Sequence, residues 1–152
     1  MNDLEREVQH LPPLARARAM KALGQPQPPP EEIKVFVYGT LLSGERNARW
    51  AMDARRTPAW AIGTIYDTGY GFPAYTREGE NRILGELLTV NAEGFRSMDR
   101  LEGYPRLYRR EEITVFPSCG GQTRAWVYIM NALPKDARPI ESGSWKLRNR
   151  DR

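Results

Sequence analysis

Cysteine and histidine are almost missing from this chain, which holds one of each in 152 residues. Cys119 alone can build neither a disulfide framework nor a zinc site, so a reducing, cytoplasmic setting is expected. His10 lies in the leading segment, where sequence assigns it no catalytic or ligand role. No Ser, His and Asp set can then be assembled in the body, which excludes a serine-hydrolase triad. Long apolar runs are missing as well. No stretch approaches the roughly 20 apolar residues of a membrane span, and Met1 to His10 is too polar for a signal peptide. The body also lacks surplus charge. The formal net charge is +4, yet residues 31–145 carry fifteen basic and fifteen acidic groups, the surplus lying at the two ends. A nucleic-acid binder would concentrate basic charge on its folded body, so no nucleic-acid partner is expected.

What is present reads as one ordered domain with an appendage at each end. Hydrophobic residues make up 40% and charged residues 28%, a balance that supports a packed core. Residues 1–32 stand apart as an N-terminal arm. Leu14 to Leu23 has the pattern of a short helix, with Pro12-Pro13 before it and Gly24 after it. Gln25 to Pro30 contains four prolines in six residues, which favours an extended linker. Residues 33–146 form the expected domain, and residues 147–152, with Arg148, Arg150 and Arg152, a solvated basic tail.

Within the domain, Val35-Phe36-Val37 has the β-branched and aromatic character of a buried strand, ended abruptly by Tyr38-Gly39-Thr40. Consecutive N–H groups in such a glycine turn can face a carboxylate or an oxyanion. Asn47 to Arg55 has a short helical pattern around Trp50 and Met52, broken at Pro58. Ala59 to Tyr66 and Ile83 to Val90 read as strands separated by the loop Gly69-Tyr70-Gly71-Phe72-Pro73. Leu107 to Phe116 and Gln122 to Met130 read as a hairpin. Five or more strands with one clear helix predict an α+β fold, a mostly antiparallel mixed sheet or small barrel.

That helix runs from Ala92 to Glu102, with Asn91 as N-cap, Gly103 just past its end and Pro105 beyond. Its apolar face carries Phe95, Met98 and Leu101, and the helical period projects Glu102 between Phe95 and Met98. Burial and the negative end of the helix both raise the pKa of a carboxyl there, as a general base requires. The alternative is a salt bridge from Glu102 to Arg106, Arg109 or Arg110. Tyr108 and Arg110 share a strand face, a phenol and a guanidinium able to orient a carboxylate; Tyr108 also reads as a core residue. Glu86 is a second carboxylate, either a base or a residue at a sheet edge.

The ordered set Val35-Phe36-Val37-Tyr38-Gly39-Thr40-Leu41, Gly44, Asn47, Gly85-Glu86-Leu87, Leu101-Glu102-Gly103-Tyr104, Tyr108, Arg110, Ala125, Val127, Tyr128 and Ser142-Gly143-Ser144-Trp145 resembles the gamma-glutamylcyclotransferase-like family, in its gamma-glutamylamine cyclotransferase branch. The resemblance covers residues 33–146. It implies a small mixed, mostly antiparallel β-barrel with flanking helices, one pocket, no metal and no organic cofactor. It also implies a small-molecule γ-glutamyl substrate whose α-amine attacks its own γ-carbonyl, releasing 5-oxoproline and an amine or amino acid. Glu102 matches the family's catalytic acid/base, and Tyr38, Gly39, Thr40 and Leu41 its substrate-binding loop. Leu42 departs from the family, standing where relatives often have a basic residue, which leaves the charge at the pocket mouth open. A non-catalytic module binding a small acidic metabolite in the same pocket is the alternative function. The sequence sets no oligomeric state.

Overall fold

In the computed structural model, residues 13–14, 32–51 and 53–151 are described. The chain divides into two units, Met1–Pro30 and Glu31–Arg152, and everything below belongs to the second. The expected helix from Leu14 to Leu23 and the proline-rich stretch lie outside the described residues, apart from Leu14 itself, and so do His10 and Met52.

Six strands and one α-helix follow in the order β1 (Ile33–Val37), β2 (Arg55–Asp67), β3 (Pro73–Val90), α1 (Ala92–Glu102), β4 (Tyr108–Pro117), β5 (Thr123–Met130) and β6 (Arg138–Pro139). The strands lie in the order β3-β1-β5-β4-β2-β6, and β2 pairs with β3 as well. That pairing closes β1 to β5 into a barrel, with β6 added beside β2. Only β1 and β5 run parallel; the other pairings are antiparallel. The small mixed, mostly antiparallel barrel expected from sequence is what forms. Among the described residues of this unit the helical segments are α1 and two 3-10 segments, Ala48–Ala51 and Trp145–Asp151.

Burial follows the strand period. Ala59, Ala61 and Ile65 of β2, Ile113 and Val115 of β4, and Ala125, Val127 and Ile129 of β5 point into the barrel. Val35, Phe36 and Val37 of β1 are all buried, and β1 is hydrogen-bonded between β3 and β5. The helix α1 lies on the outside of β4 and β5, where the Phe95 ring meets Trp126 and Tyr128.

Three expectations are corrected. Asn47 to Arg55 forms only the 3-10 turn Ala48–Ala51, and β2 begins at Arg55. Pro58 does not break the chain. It lies within β2 opposite Glu86, at a point the β4 ladder does not reach, and its carbonyl accepts from the Ser118 N–H; there its missing N–H costs no ladder bond. The arginine tail is not free in solution at Arg148, whose guanidinium stacks 3.9 Å from the Trp145 ring and donates to the Trp145 carbonyl at 2.8 Å.

Candidate active site

The end of α1 is built as its sequence suggests. The Asn91 side chain accepts from the Gly94 N–H at 2.8 Å, and Gly103 adopts the left-handed conformation (φ 66°) that stops the helix. Glu102 is therefore the last residue of a helix pinned at both ends, and its carboxylate faces a cleft at one end of the barrel. The cleft is lined by Val37, Tyr38, Gly39, Thr40, Leu41, Phe72, Pro73, Glu102, Tyr108 and Tyr128, and it is open to solvent.

Three tyrosines surround the carboxylate. Tyr38 donates to the Tyr128 carbonyl at 2.7 Å, Tyr108 to the Pro73 carbonyl at 3.0 Å, and Tyr128 to Asp99 Oδ1 at 2.8 Å. Burial, with the nearby Glu102 charge adding to it, holds all three phenols well above their usual range, so they stay neutral. Among the described residues none hydrogen-bonds or ion-pairs with Glu102. Burial without a compensating cation pushes its carboxyl up to about 7. The salt-bridge alternative for Glu102 is thus not realised.

Opposite it, the turn after β1 is held open by bonds to its neighbours. The Asn47 N–H and side-chain amide donate to the Thr40 carbonyl and hydroxyl at 2.9 and 3.0 Å. Arg56 donates to the carbonyls of Leu41 and Ala48 and to Glu86 Oε1. Glu86 also accepts from the Ser43 N–H and hydroxyl, both at 2.7 Å. Burial raises the Glu86 pKa, but Ser43 and Arg56 together bring it below the ordinary value, so Glu86 buttresses the loop and does not serve as the base. Nor is it at a sheet edge, since β3 pairs with β1 and β2 on either side of it. The N–H groups of Gly39, Thr40 and Leu41 meet no acceptor among the described residues. Three adjacent unused donors on residues lining a cleft have the chemistry that a carboxylate or an oxyanion requires.

Gly39 cannot be larger. A Cβ there would lie 2.5 Å from Pro73 Cγ and 2.6 Å from Cδ, and Pro73 carries the carbonyl that fixes Tyr108. We expect Gly39→Ala to lose about 1–3 kcal/mol of stability and at least about 10-fold in kcat/KM from the shifted wall. Unchanged kinetics and melting would show that the contact is not needed.

The structure brings Tyr38, Gly39, Thr40, Leu41, Glu102 and Tyr108 together, and leaves Arg110 out. Arg110 lies on the same face of β4 as Tyr108, but its guanidinium is engaged by Asp99 through two bonds of 2.8 and 3.1 Å and stacks on Phe95 and Tyr104. It anchors α1 and does not reach into the cleft. Phe72 and Pro73 read from sequence only as loop residues, and no local pattern places them near Glu102; Asp99 lies one turn before Glu102, but nothing local pairs it with Arg110 and Tyr128. Among the described residues no group of three or more His, Cys, Asp or Glu is arranged to hold a metal ion.

Comparison with known proteins accords with this geometry. The family model described as "Gamma-glutamyl cyclotransferase, AIG2-like" matches residues 35–147. The chain belongs to that family. The match takes in the turn after β1, Glu102 and the tyrosines of the cleft. Among relatives, the Drosophila melanogaster protein CG2811 is 32% identical over 112 residues, 66% of this chain and 71% of that one. The Niallia circulans gamma-L-glutamyl-butirosin B gamma-glutamyl cyclotransferase is 34% identical over 105 residues, covering 64% of this chain and 66% of the relative. The crystal structure of YkqA from Bacillus subtilis shares the fold, with a TM-score of 0.63 at 23% identity over 80% of this chain and 44% of that longer protein.

Proposed function

We propose that the protein is a γ-glutamyl cyclotransferase that releases 5-oxoproline from a γ-glutamyl amide, with Glu102 as its acid/base. The substrate α-amine has a reference pKa of about 8 and is mostly protonated at pH 7. Glu102 takes one of its protons, and the freed nitrogen attacks the γ-carbonyl carbon to close the five-membered ring. The amides of Gly39, Thr40 and Leu41 bind the oxyanion or the substrate carboxylate. As the carbon–nitrogen bond to the leaving group breaks, the protonated Glu102 gives its proton to the departing nitrogen; the ring nitrogen then loses its second proton, by way of the restored carboxylate, to the released amine, giving 5-oxoproline and an amine or amino acid that leaves as its ammonium. The attack is intramolecular, so Tyr38, Tyr108 and Phe72 have chiefly to hold the glutamyl chain curled.

The observation that carries this reading is the unpaired Glu102 carboxylate, poised near pH 7 across a cleft from three unused amides. We assign the activity to residues 33–146, with residues 1–32 an accessory arm and 147–152 a terminal extension. A cytoplasmic setting goes with this reading; no helix among the described residues is long and apolar enough to cross a membrane.

The test is release of 5-oxoproline from a panel of γ-glutamyl amino acids and γ-glutamyl amines. We expect product from at least one member. Binding of panel members without product would favour the non-catalytic module.

A further inference from the structure

Resting on the cyclotransferase reading, we infer that a second compartment beside Glu102 receives the leaving group, and that Arg46 in it selects leaving groups that carry a negative charge. This compartment is lined by Thr40, Arg46, Asn47, Phe72, Leu101, Glu102, Leu107 and Tyr108. Thr40, Phe72, Glu102 and Tyr108 also line the first cleft, so the two spaces meet at the carboxylate. A residue that returns a proton to the departing nitrogen must lie where the scissile bond lies. The glutamyl part then occupies the cleft with the free amides, and the remainder of the substrate extends past Glu102 into the second space.

Positive charge in that space comes, among the described residues, from one side chain. Leu42, at the turn after β1, is buried and apolar and supplies none. Arg46, four residues further on, is the basic side chain among those lining either space. No hydrogen bond or ion pair to a described residue engages its guanidinium. By contrast Arg56, Arg110 and Arg148 are each committed to a carboxylate or a carbonyl. The guanidinium lies against Gly71, where a Cβ would come 3.1 Å from Nη1. Gly71 has φ 89°, so a glycine is suited to that position both for its backbone and for the space it leaves to Arg46.

The carboxylate of a leaving α-amino acid is two bonds from the scissile nitrogen, close enough to meet a cation in the adjoining space. An amine or a carboxamide offers no such partner, so this preference departs from the gamma-glutamylamine branch that the sequence resembles. Apolar Leu101 and Leu107 accept a side chain of modest size without adding charge. Arg46 thus reads the carboxylate, while Glu102 acts on the neighbouring nitrogen.

The matched pair γ-glutamyl-alanine and γ-glutamyl-alaninamide tests this, because the ratio of their kcat/KM values is independent of how much of each variant is folded. The natural chain should favour γ-glutamyl-alanine by about 5- to 10-fold, the effect of one partly screened charge contact, and the preference should shrink as salt is added. Arg46→Ala should bring the ratio near one, Arg46→Glu should reverse it, and Arg46→Lys should keep part of it. A ratio that Arg46→Ala leaves unchanged, with product still formed, overturns the role of Arg46 alone. No 5-oxoproline from the natural chain with either compound or with the wider panel overturns the cyclotransferase reading, and this inference with it.

Discussion

Glu102→Gln should lower kcat for 5-oxoproline release by about 10²- to 10⁴-fold, the usual contribution of a positioned acid/base, and at the same time stabilise the folded chain at neutral and alkaline pH. The second effect follows from the first-order electrostatics of the site. The Glu102 carboxyl moves from an ordinary value of 4.5 to about 7 in the fold, through burial. Between these values the folded state holds a proton that the unfolded state has released, so stability falls as pH rises through the window and the loss is complete above it. At 1.36 kcal/mol for each pKa unit, the loss is at most about 3 kcal/mol. Glutamine stays neutral and escapes it, but its amide must find partners in the cleft, so we expect a net gain of about 1–2 kcal/mol at pH 8 and none at pH 4. Urea unfolding of both proteins at the two pH values checks this. An equal difference at pH 4 and pH 8 would mean that Glu102 is not held away from water.

Asp99→Ala should have the largest effect on stability. Asp99 lies one helical turn before Glu102 on α1, accepts both bonds from Arg110 and also receives the Tyr128 hydroxyl. Both side chains of the ion pair are mostly shielded, at 16% and 19% exposure. Removing the carboxylate leaves Arg110 without its partner under the rings of Phe95 and Tyr104, at a cost of about 2–4 kcal/mol. It also frees α1 from β4 and β5, the strands that carry Tyr108 and Tyr128. Asp99 is a positioning residue. Its loss should lower kcat more than it raises KM, since Glu102 is displaced while the amides of the Gly39 turn stay in place. Asp99→Asn, which keeps an acceptor for Tyr128 or Arg110, should recover part of both losses. Retained stability together with retained kcat in Asp99→Ala would show that the bridge does not hold the base in position.

Local chemistry explains which parts of this arrangement were readable in advance. The bounds of α1 were legible because Asn91 and Gly103 signal its ends through their own conformations and the apolar period lies between them. The exposure of Glu102 to an apolar setting followed from the same period, and the strand face shared by Tyr108 and Arg110 from the period of two. Sequence could not separate the fates of Tyr108 and Arg110. One donates to Pro73 and the other pairs with Asp99, and both partners are brought near only by barrel closure and the docking of α1. The roles of Glu86 and Glu102 were ambiguous for a similar reason. Each is a carboxylate among apolar neighbours, and the difference lies in Arg56 and Ser43, which reach Glu86 from other segments, while no cation among the described residues pairs with Glu102. β2 proved longer than expected because Pro58 reads as a break, whereas its pairing opposite Glu86 carries the strand through it; β3 proved longer because Pro73 to Thr76 also pair with β2, the residues between Thr76 and Asn81 having no partner there.

The most direct measurement is the pH dependence of kcat/KM for 5-oxoproline release from a γ-glutamyl amino acid between pH 5 and 9, with the natural chain and Glu102→Gln side by side. A rise through about pH 7 is expected in the natural chain, tracking ionisation of Glu102, with loss of both the rate and the rise in the variant. A Glu102→Gln protein that releases 5-oxoproline at the natural rate with the same pH limb would contradict it.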